Sequence, residues 1–438
     1  MNSKLKINST LKIKPINYFK GETEVQGDKS ISHRAILLGG LLEGSITINN
    51  FLESEDTLNT ARAYQKMGIE IKGLETKNVT IKGKGLNGLI EPDGILDLGN
   101  SGTSMRLLLG ILSGQNFYSV VTGDKSLCRR PMQRVTIPLK KMGALIYGRE
   151  KANFAPLTII GKKLNGINFK SNVSSAQVKS CLILAGLFAK GTTVVTEPIL
   201  SRDHTERMLA YFGANIKKKN ILTTSITSKK KLLAKDIFVP GDISSAAYFI
   251  IGALILKNSK VTIKNVGINP TRTGILDILK NMGAKITLTN YRNINDEPVA
   301  DITACSSKLN GTEISGDIIP RLIDEIPIIA IAAACADGET IIKNAGELRV
   351  KESDRIKTVT NGLTTLGIKV KELPDGMIIR GGMFSAGNKK FNSYGDHRIA
   401  MSFAIAGLKI QGGIVINDTD CINTSFPEFT NILKNLSY

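Results

Sequence analysis

The chain has 438 residues, 42% of them hydrophobic and 22% charged, an ordinary globular balance for about two or three domains. No apolar run approaches the ~20 residues of a membrane helix, and the start MNSKLKINSTLKIKPI has no continuous apolar segment after its lysines, so neither a membrane span nor a signal peptide is expected. The formal net charge of +20 points to an anionic partner, either nucleic acid or small, highly charged substrates. The five cysteines (Cys128, Cys181, Cys305, Cys335, Cys421) are scattered, never spaced as CxxC, and the three histidines add no zinc pattern. A reducing cytoplasm suits such a chain. Runs such as Lys217-Lys218-Lys219 and Lys229-Lys230-Lys231 read as solvated edges or loops.

In chain order, six segments share one pattern: a small polar turn, an apolar helical run, a glycine-containing turn and a β-branched run. They begin at Ile31 (ISHRAILLGGLLEGSITINN), Asn100 (NSGTSMRLLLGILSG), Ser174 (SSAQVKSCLILAGLFAKGTTVV), Ile243 (ISSAAYFIIGALILKNSKVTI), Ile323 (IDEIPIIAIAAACADGETIIKN) and Gly395 (GDHRIAMSFAIAGLKIQGGIVI). The spacing is roughly 70 to 80 residues, the mark of a repeat architecture. A second element keeps the same period: ARAYQKMGIEI, IPLKKMGALIYG, ERMLAYFGANI, LDILKNMGAKI and LTTLGIKV each read as helix, glycine stop and strand. The stops are Gly68, Gly143, Gly213, Gly283 and Gly367, the residue type that enters the left-handed region freely at a helix end. Each unit is thus two helices and several strands in α/β alternation. VQGDKSIS from Val25 resembles VPGDISSA from Val239, which puts a boundary after three units, near Pro240. The first ~27 residues suit either half.

The apolar helices offer an account of the charge. Each begins at small polar residues, so its first backbone N–H groups are expected to be open to an anion, and a helix N-terminus favours phosphate or carboxylate. Basic residues gather at the same places: Lys29 and Arg34, Arg106, Arg129 and Arg130, Arg202, Lys351 and Arg355, Arg398. For any single turn, a plain helix cap is an equal reading.

Several of these stretches carry a resemblance. GDKSISHRA from Gly27, LGNSGTSMR from Leu98, GDKSLCRRPM from Gly123, SSAQVKS from Ser174, SRDHTERM from Ser201, LIDEIPIIAIAAA from Leu322, ELRVKESDR from Glu347, YGDHRIAM from Tyr394 and SFPEF from Ser425 resemble, in order and spacing, the 5-enolpyruvylshikimate-3-phosphate synthases. The resemblance implies two similar α/β domains, each of three βαβαββ units, here 28–240 and 1–27 plus 241–438, with the active site in the cleft between them. It implies transfer of the enolpyruvyl group of phosphoenolpyruvate to the 5-hydroxyl of shikimate-3-phosphate, with no metal or organic cofactor, by a monomer that binds neither nucleic acid nor membrane. SAQVKS, SRDHTE and NPTR (Asn269 to Arg272) resemble the group called class II, which tends to be less sensitive to glyphosate. Thr424 stands where the sensitive class has a lysine, Glu347 where it has an asparagine, and Leu107 where it has a proline.

Residue by residue, the resemblance assigns Lys29, Ser30 and Arg34 to substrate contact. Arg34 as a mere surface charge is the alternative. Gly102 would line the phosphoenolpyruvate pocket, although a tight turn would use glycine equally. Arg130, Arg355 and Arg398 would clamp the phosphate and carboxylate of phosphoenolpyruvate, a task that suits the planar guanidinium fork. Ser174, Ser175, Ala176 and Gln177, with Arg202, would hold the shikimate phosphate and ring, and Gln177 would also reach phosphoenolpyruvate. Lys351 would serve the shikimate side. Asp324, in an almost wholly apolar run, is either a carboxylate facing ligand or a helix N-cap. Glu352, between Lys351 and Arg355, is either a catalytic carboxylate or half of a surface ion pair. The expected pairing is Asp324 as base for the hydroxyl, and Glu352 with Lys29 as acid for the substrate methylene. His397, between Asp396 and Arg398, is a proton donor or an orienting ring, and His33 a packing or hydrogen-bonding neighbour.

Two other readings compete. The sister transferase acting on UDP-N-acetylglucosamine uses a loop cysteine, and Cys128 in SLCRRP lies in the comparable loop. That enzyme carries a Lys-Asn pair where this chain has Lys29-Ser30, and it lacks SRDHTE and VKESDR, so Cys128 reads as an incidental small residue. A basic nucleic-acid scaffold is the other, but aromatic platforms, helix-turn-helix and zinc patterns are missing from the sequence.

Overall fold

The structure, a computed structural model, describes residues 9–228 and 231–437. Residues 1–8, on which the signal-peptide reading partly falls, and Lys229 and Lys230 of one lysine run lie outside the described residues. The six apolar runs fold as helices α1 (Lys29–Gly39), α2 (Gly102–Leu112), α3 (Ala176–Gly186), α4 (Ile243–Ile255), α5 (Ile326–Ala334) and α6 (His397–Gly407). All thirteen residues of α4 and all nine of α5 are buried. A helix that is apolar all round has no face to give to water, so these helices become the core rather than its cover.

The chain divides into two compact units. One runs from Gly27 to Pro240 and takes in Asn293–Pro298. The other comprises the described residues up to Gln26, with Gly241–Arg292 and Val299 onward. Gly27 therefore falls on the other side of the expected border, and a six-residue hairpin tip is exchanged. The tip is bonded within its unit: His204 Nδ1 lies 2.7 Å from Glu297 Oε1, Arg207 Nη1 donates to the Asp296 carbonyl at 2.7 Å, and Asn295 Nδ2 donates to the Phe238 carbonyl at 2.7 Å.

In the first unit α1 and α3 pack on α2; in the second α4, α5 and α6 pack on one another. At Gly110 a Cβ would stand 2.2 Å from the Cys181 carbonyl oxygen, so only glycine admits the α3 backbone there. Around these helices each repeat lays a mixed sheet. In the second repeat Leu96–Asp97 runs parallel to Tyr118–Thr122, which is antiparallel to Phe154–Ile160, itself antiparallel to Leu145–Gly148. In chain order that is β, α2, β, the helix Gln133–Lys141, β, β, the expected unit. One strand buries a single side: Asn78–Lys84 alternates strictly between exposed and buried, with Val79 and Ile81 inward.

The five stop glycines all have positive φ, between 75° and 105°, which a side chain would resist. The N-terminal segment completes two sheets of the second unit. Lys20–Glu24 pairs parallel with Lys260–Gly267, and Thr10–Ile13 pairs antiparallel with Ile414–Asn417. The last repeat thus obtains its third strand from the start of the chain. Among the described residues, no helix is long and apolar enough to cross a membrane.

Candidate active site

The helix starts differ from the sequence expectation in one respect. Five of the six core helices are capped by a side chain, so their first amides are not all open. Asp28 accepts from the Ile31 amide at 2.9 Å, Asp242 from Ser244 at 2.8 Å, and Asp396 from Arg398 at 2.9 Å. Ser101 and Ser175 cap α2 and α3. Short polar side chains reach back to the second or third amide, which is why these residue types stand there. Helix α5 has no side-chain cap; its N-cap position is Glu325. Asp324 is therefore not the N-cap, the reading offered as one alternative for it.

The sequence-predicted residues fall into two groups, one in each unit. In the second unit Asp324, Lys351, Glu352, Arg355 and Arg398 come together. Arg355 is buried, and its Nε donates to Asp396 Oδ2 at 2.8 Å while Nη2 lies 3.3 Å from Asp396 Oδ1 and 2.6 Å from Glu352 Oε2. Its Nη1 is 3.5 Å from Asp324 Oδ1, and Lys351 Nζ approaches the same oxygen at 3.6 Å. Arg398 Nη1 donates to the Asp324 carbonyl at 2.9 Å and lies 3.8 Å from Glu325 Oε1. Burial acts to lower the pKa of both arginines, but the carboxylates outweigh it: chiefly Asp396 and Glu352 for Arg355, and Asp324 for Arg398, so both end above their usual range. Glu352 is thus not one half of a fully exposed surface pair; its partner Arg355 is a buried guanidinium, and its own side chain is 20% exposed.

In the first unit the other group lines the starts of α1, α2 and α3. Lys29 Nζ is 3.1 Å from Asp56 Oδ2. Arg34 is buried, not a surface charge: Nε donates to Thr205 Oγ1 at 2.7 Å, Nη1 to the Ser30 carbonyl at 2.9 Å and Nη2 to Ser180 Oγ at 2.9 Å. Burial pulls its pKa down to about 10, so it stays charged at neutral pH. Gly102 opens α2, and a Cβ there would stand 3.0 Å from Arg106 Nη1 and 3.3 Å from Arg130 Nη1. Arg130 Nη2 donates to Asn100 Oδ1 at 2.9 Å. Gln177 uses both ends of its amide, accepting from Arg106 Nη1 at 2.6 Å and donating to Thr103 Oγ1 at 3.0 Å. Ser174 Oγ donates to the Ile199 carbonyl at 2.9 Å, which ties the start of α3 to the loop carrying Arg202. Ala176 is the first residue of α3.

His33 is fully buried, with Nδ1 2.8 Å from Thr60 Oγ1. Burial first, then the charges of Lys29 and Arg34, hold its pKa well below the ordinary value. It is a neutral hydrogen-bonding neighbour, as its sequence context suggested. Cys128 Sγ lies 3.3 Å from the Gly123 carbonyl. Of the positions that depart from the sensitive pattern, Thr424 donates from Oγ1 to the Cys421 carbonyl at 2.7 Å, and Glu347 lies in the short turn Gly346–Val350.

Sequence reasoning missed the holding contacts, although it had singled out Arg106 as a basic residue at a helix start. Asp396 grips Arg355 and caps α6, Asp56 grips Lys29, and Arg106 fixes Gln177. For Asp396 a signal existed in its place before His397 and Arg398. For Asp56 none did beyond an acidic residue early in a helix, an ordinary dipole preference.

Dense arginine and lysine charge, interleaved with carboxylates, is chemistry suited to anionic substrates and proton transfer. The fold has a distant likeness in the enolpyruvyl transferase NikO from Streptomyces tendae, with a TM-score of 0.78 over 98% of both chains at 16% identity. Much nearer is an EPSP synthase from Acinetobacter baumannii, with a TM-score of 0.88, 46% identity and 98% of both chains covered. The family model for EPSP synthase (3-phosphoshikimate 1-carboxyvinyltransferase) matches residues 13–433. The 3-phosphoshikimate 1-carboxyvinyltransferases of Desulforudis audaxviator (strain MP104C) and Petrotoga mobilis (strain DSM 10674 / SJ95) are 53% and 52% identical, over 98% and 97% of this chain and 99% of each relative. The chain belongs to the EPSP synthase family. Identity at this level over nearly the full length sets aside the sugar-nucleotide transferase and the nucleic-acid scaffold as descriptions of it.

Proposed function

We propose that this chain transfers the enolpyruvyl group of phosphoenolpyruvate to the 5-hydroxyl of shikimate-3-phosphate, giving 5-enolpyruvylshikimate-3-phosphate and phosphate. The observation that carries the residue assignment is the constellation of Asp324, Lys351, Glu352, Arg355 and Arg398, with the Asp324 carboxylate 3.5 Å from a buried guanidinium and 3.6 Å from an ammonium. Asp324 takes the proton of the 5-hydroxyl as its oxygen bonds to C2 of phosphoenolpyruvate. C3 gains a proton from Glu352, assisted by Lys29, and a tetrahedral phospho-ketal results. In the second half C3 returns its proton to Glu352, the C2–O bond to phosphate breaks as the leaving phosphate takes up the proton held by Asp324, and the enol ether is restored. Both substrates are strongly anionic, so the cations lower their mutual repulsion and hold the reacting atoms in contact.

Phosphoenolpyruvate is assigned to Lys29, Gly102, Arg130, Gln177, Arg355 and Arg398. Shikimate-3-phosphate is assigned to Lys29, Ser30, Arg34, Ser174 to Gln177, Arg202, Asp324 and Lys351. Gln177 and Arg34 are also held by their neighbours, which fixes them for that contact. The reading is of a cytoplasmic monomer. The test is phosphate release with phosphoenolpyruvate and either shikimate-3-phosphate or UDP-N-acetylglucosamine. Release is expected only with the former and is expected to vanish in Asp324→Ala. Release with neither acceptor would sink the assigned reaction, and full activity in Asp324→Ala would remove that carboxylate from the mechanism.

A further inference from the structure

One buried charge cluster lies outside the groups assigned above. Lys179 stands one turn into α3, its amide bonded to the Ser175 carbonyl at 3.0 Å, in a helix whose other buried residues are Val, Ile, Leu, Cys, Ala, Ser180 and Gly186. It is only 3% exposed. Its ammonium lies 2.7 Å from Glu197 Oε2 and 2.8 Å from Glu206 Oε1, and it donates to the Ser201 carbonyl at 3.3 Å. These partners come from three places: the end of the strand Thr192–Thr196, the loop that follows it, and the helix His204–Tyr211. Glu197 in turn binds the same loop, accepting from the Ser201 hydroxyl and, at 3.4 Å, from the Ser201 amide.

A lysine buried in an apolar helix is a poor way to gain stability. Two carboxylates and an ammonium must all be desolvated, and a well-packed apolar side chain commonly does as well or better. The geometry points to a different use. The loop between Glu197 and His204 has no regular structure, and it carries Arg202. It is fastened to the start of α3 at two points, by Ser174 Oγ on the Ile199 carbonyl and by Lys179 on the Ser201 carbonyl. We infer that Lys179, with Glu197 and Glu206, is a positioning residue that sets the Arg202 loop against the Ser174–Gln177 turn and so builds the subsite for the acceptor's phosphate. This rests on the assignment of Ser174–Gln177 and Arg202 to that phosphate.

The test uses the full-length protein and the double variant Lys179→Met with Glu206→Gln. That change removes one positive and one negative charge, so the cluster's net charge is kept and Glu197 stays bonded to Ser201. The readings are dissociation constants for shikimate-3-phosphate and for unphosphorylated shikimate, KM for phosphoenolpyruvate, and kcat. Affinity for shikimate-3-phosphate is expected to fall about tenfold, the scale of one charge-assisted hydrogen bond. Shikimate affinity, KM for phosphoenolpyruvate and kcat at saturation are expected to hold within about twofold, a split that general loosening would not produce. Equal losses for both acceptors, or unchanged affinity for the phosphorylated one, would overturn the inference. Should the double variant fail to fold, Glu206→Gln alone is read the same way, with a loss of about threefold expected and none overturning it. Arg202→Ala separates the two layers: if it leaves the preference for the phosphorylated acceptor intact, the phosphate assignment itself is wrong; if it reduces that preference and the Lys179 variants leave it unchanged, only the positioning role falls.

Discussion

Asp396→Asn probes whether one buried carboxylate holds both arginines of the second unit. Asp396 is fully buried. Oδ2 accepts from Arg355 Nε at 2.8 Å and from Ser353 Oγ at 3.0 Å, while Oδ1 accepts the Arg398 amide at 2.9 Å and faces Arg355 Nη2 at 3.3 Å. Asparagine keeps one acceptor oxygen. If that oxygen caps α6, the new amide N–H points at the Nε–H of Arg355, donor against donor, and the buried guanidinium loses a formal partner. Breaking one side of a buried pair costs about 3–5 kcal/mol, offset in part because Glu352 and Asp324 remain within 2.6 and 3.5 Å of the same guanidinium. We therefore expect a loss of about 2–4 kcal/mol, read by urea unfolding followed with a probe in this unit. The released Arg355 swings towards Glu352, so KM for phosphoenolpyruvate is expected to rise at least about tenfold while KM for shikimate-3-phosphate changes little. A variant that loses the stability yet keeps its KM for phosphoenolpyruvate would refute the claim that Asp396 orients these arginines for substrate.

Three further outcomes follow from single positions. Gly102→Ala places a methyl 3.0 and 3.3 Å from the Arg106 and Arg130 guanidinium groups without straining the backbone, so stability should hold within about 1 kcal/mol while KM for phosphoenolpyruvate rises severalfold. Gly143→Ala meets no close atom, but φ is 105°, so calorimetric melting should show a loss of about 1–2 kcal/mol with the kinetics untouched. His33 has a folded pKa depressed by burial and by Lys29 and Arg34; below its unfolded value near 6.5 the unfolded chain binds the proton and the folded one does not. Its contribution to stability is therefore whole above that pH and falls by up to about 1.4 kcal/mol per unit as the pH drops below it. His33→Asn should flatten the stability profile between pH 6.5 and 5, measured by urea unfolding at each pH.

The repeats were legible because their signals are local. A glycine stop such as Gly213 and an all-apolar run such as that of α4 state their own conformation and burial. The N-terminal strand Lys20–Glu24 is polar and mostly exposed, so nothing in KGETE says which sheet it joins; only the family resemblance carried the crossing. The arginines and carboxylates of the site were also visible, since they crowd into short motifs. Their holders were not. Lys29 and Asp56 are 27 residues apart, Arg355 and Asp396 are 41, and His204 and Glu297 are 93. Pairing across such distances follows from how the helices pack and leaves no spacing to read. The cap at Asp324 failed for a related reason: a one-residue shift in where α5 begins decides which carboxylate is the cap, and helix ends are uncertain by that much from sequence alone.

The caps themselves divide the five side-chain-capped helix starts into two kinds. Asp28, Asp242 and Asp396 bring a negative charge to the positive end of their helices, and two of them also take an arginine: Asp396 takes Arg355, and Asp242 Oδ1 lies 3.2 Å from Arg272 Nη2. Those ends already hold a carboxylate of their own. Helices α2 and α3 are capped by Ser101 and Ser175, which satisfy an amide and leave the end positive for an incoming anion. Ser175→Asp separates capping from anion binding, because aspartate caps about as well as serine. Its carboxylate should complement the α3 dipole, so the melting temperature should hold or rise, by the equivalent of about 0.3–1 kcal/mol. The same carboxylate would stand where the acceptor phosphate is assigned, and like charges about 4 Å apart at an effective dielectric near 20 repel by some 4 kcal/mol per charge pair. Even with screening by Arg202 and solvent, affinity for shikimate-3-phosphate should drop by about 100-fold or more, with shikimate itself nearly unaffected. A stable Ser175→Asp protein that binds shikimate-3-phosphate normally would show that the start of α3 does not receive the phosphate.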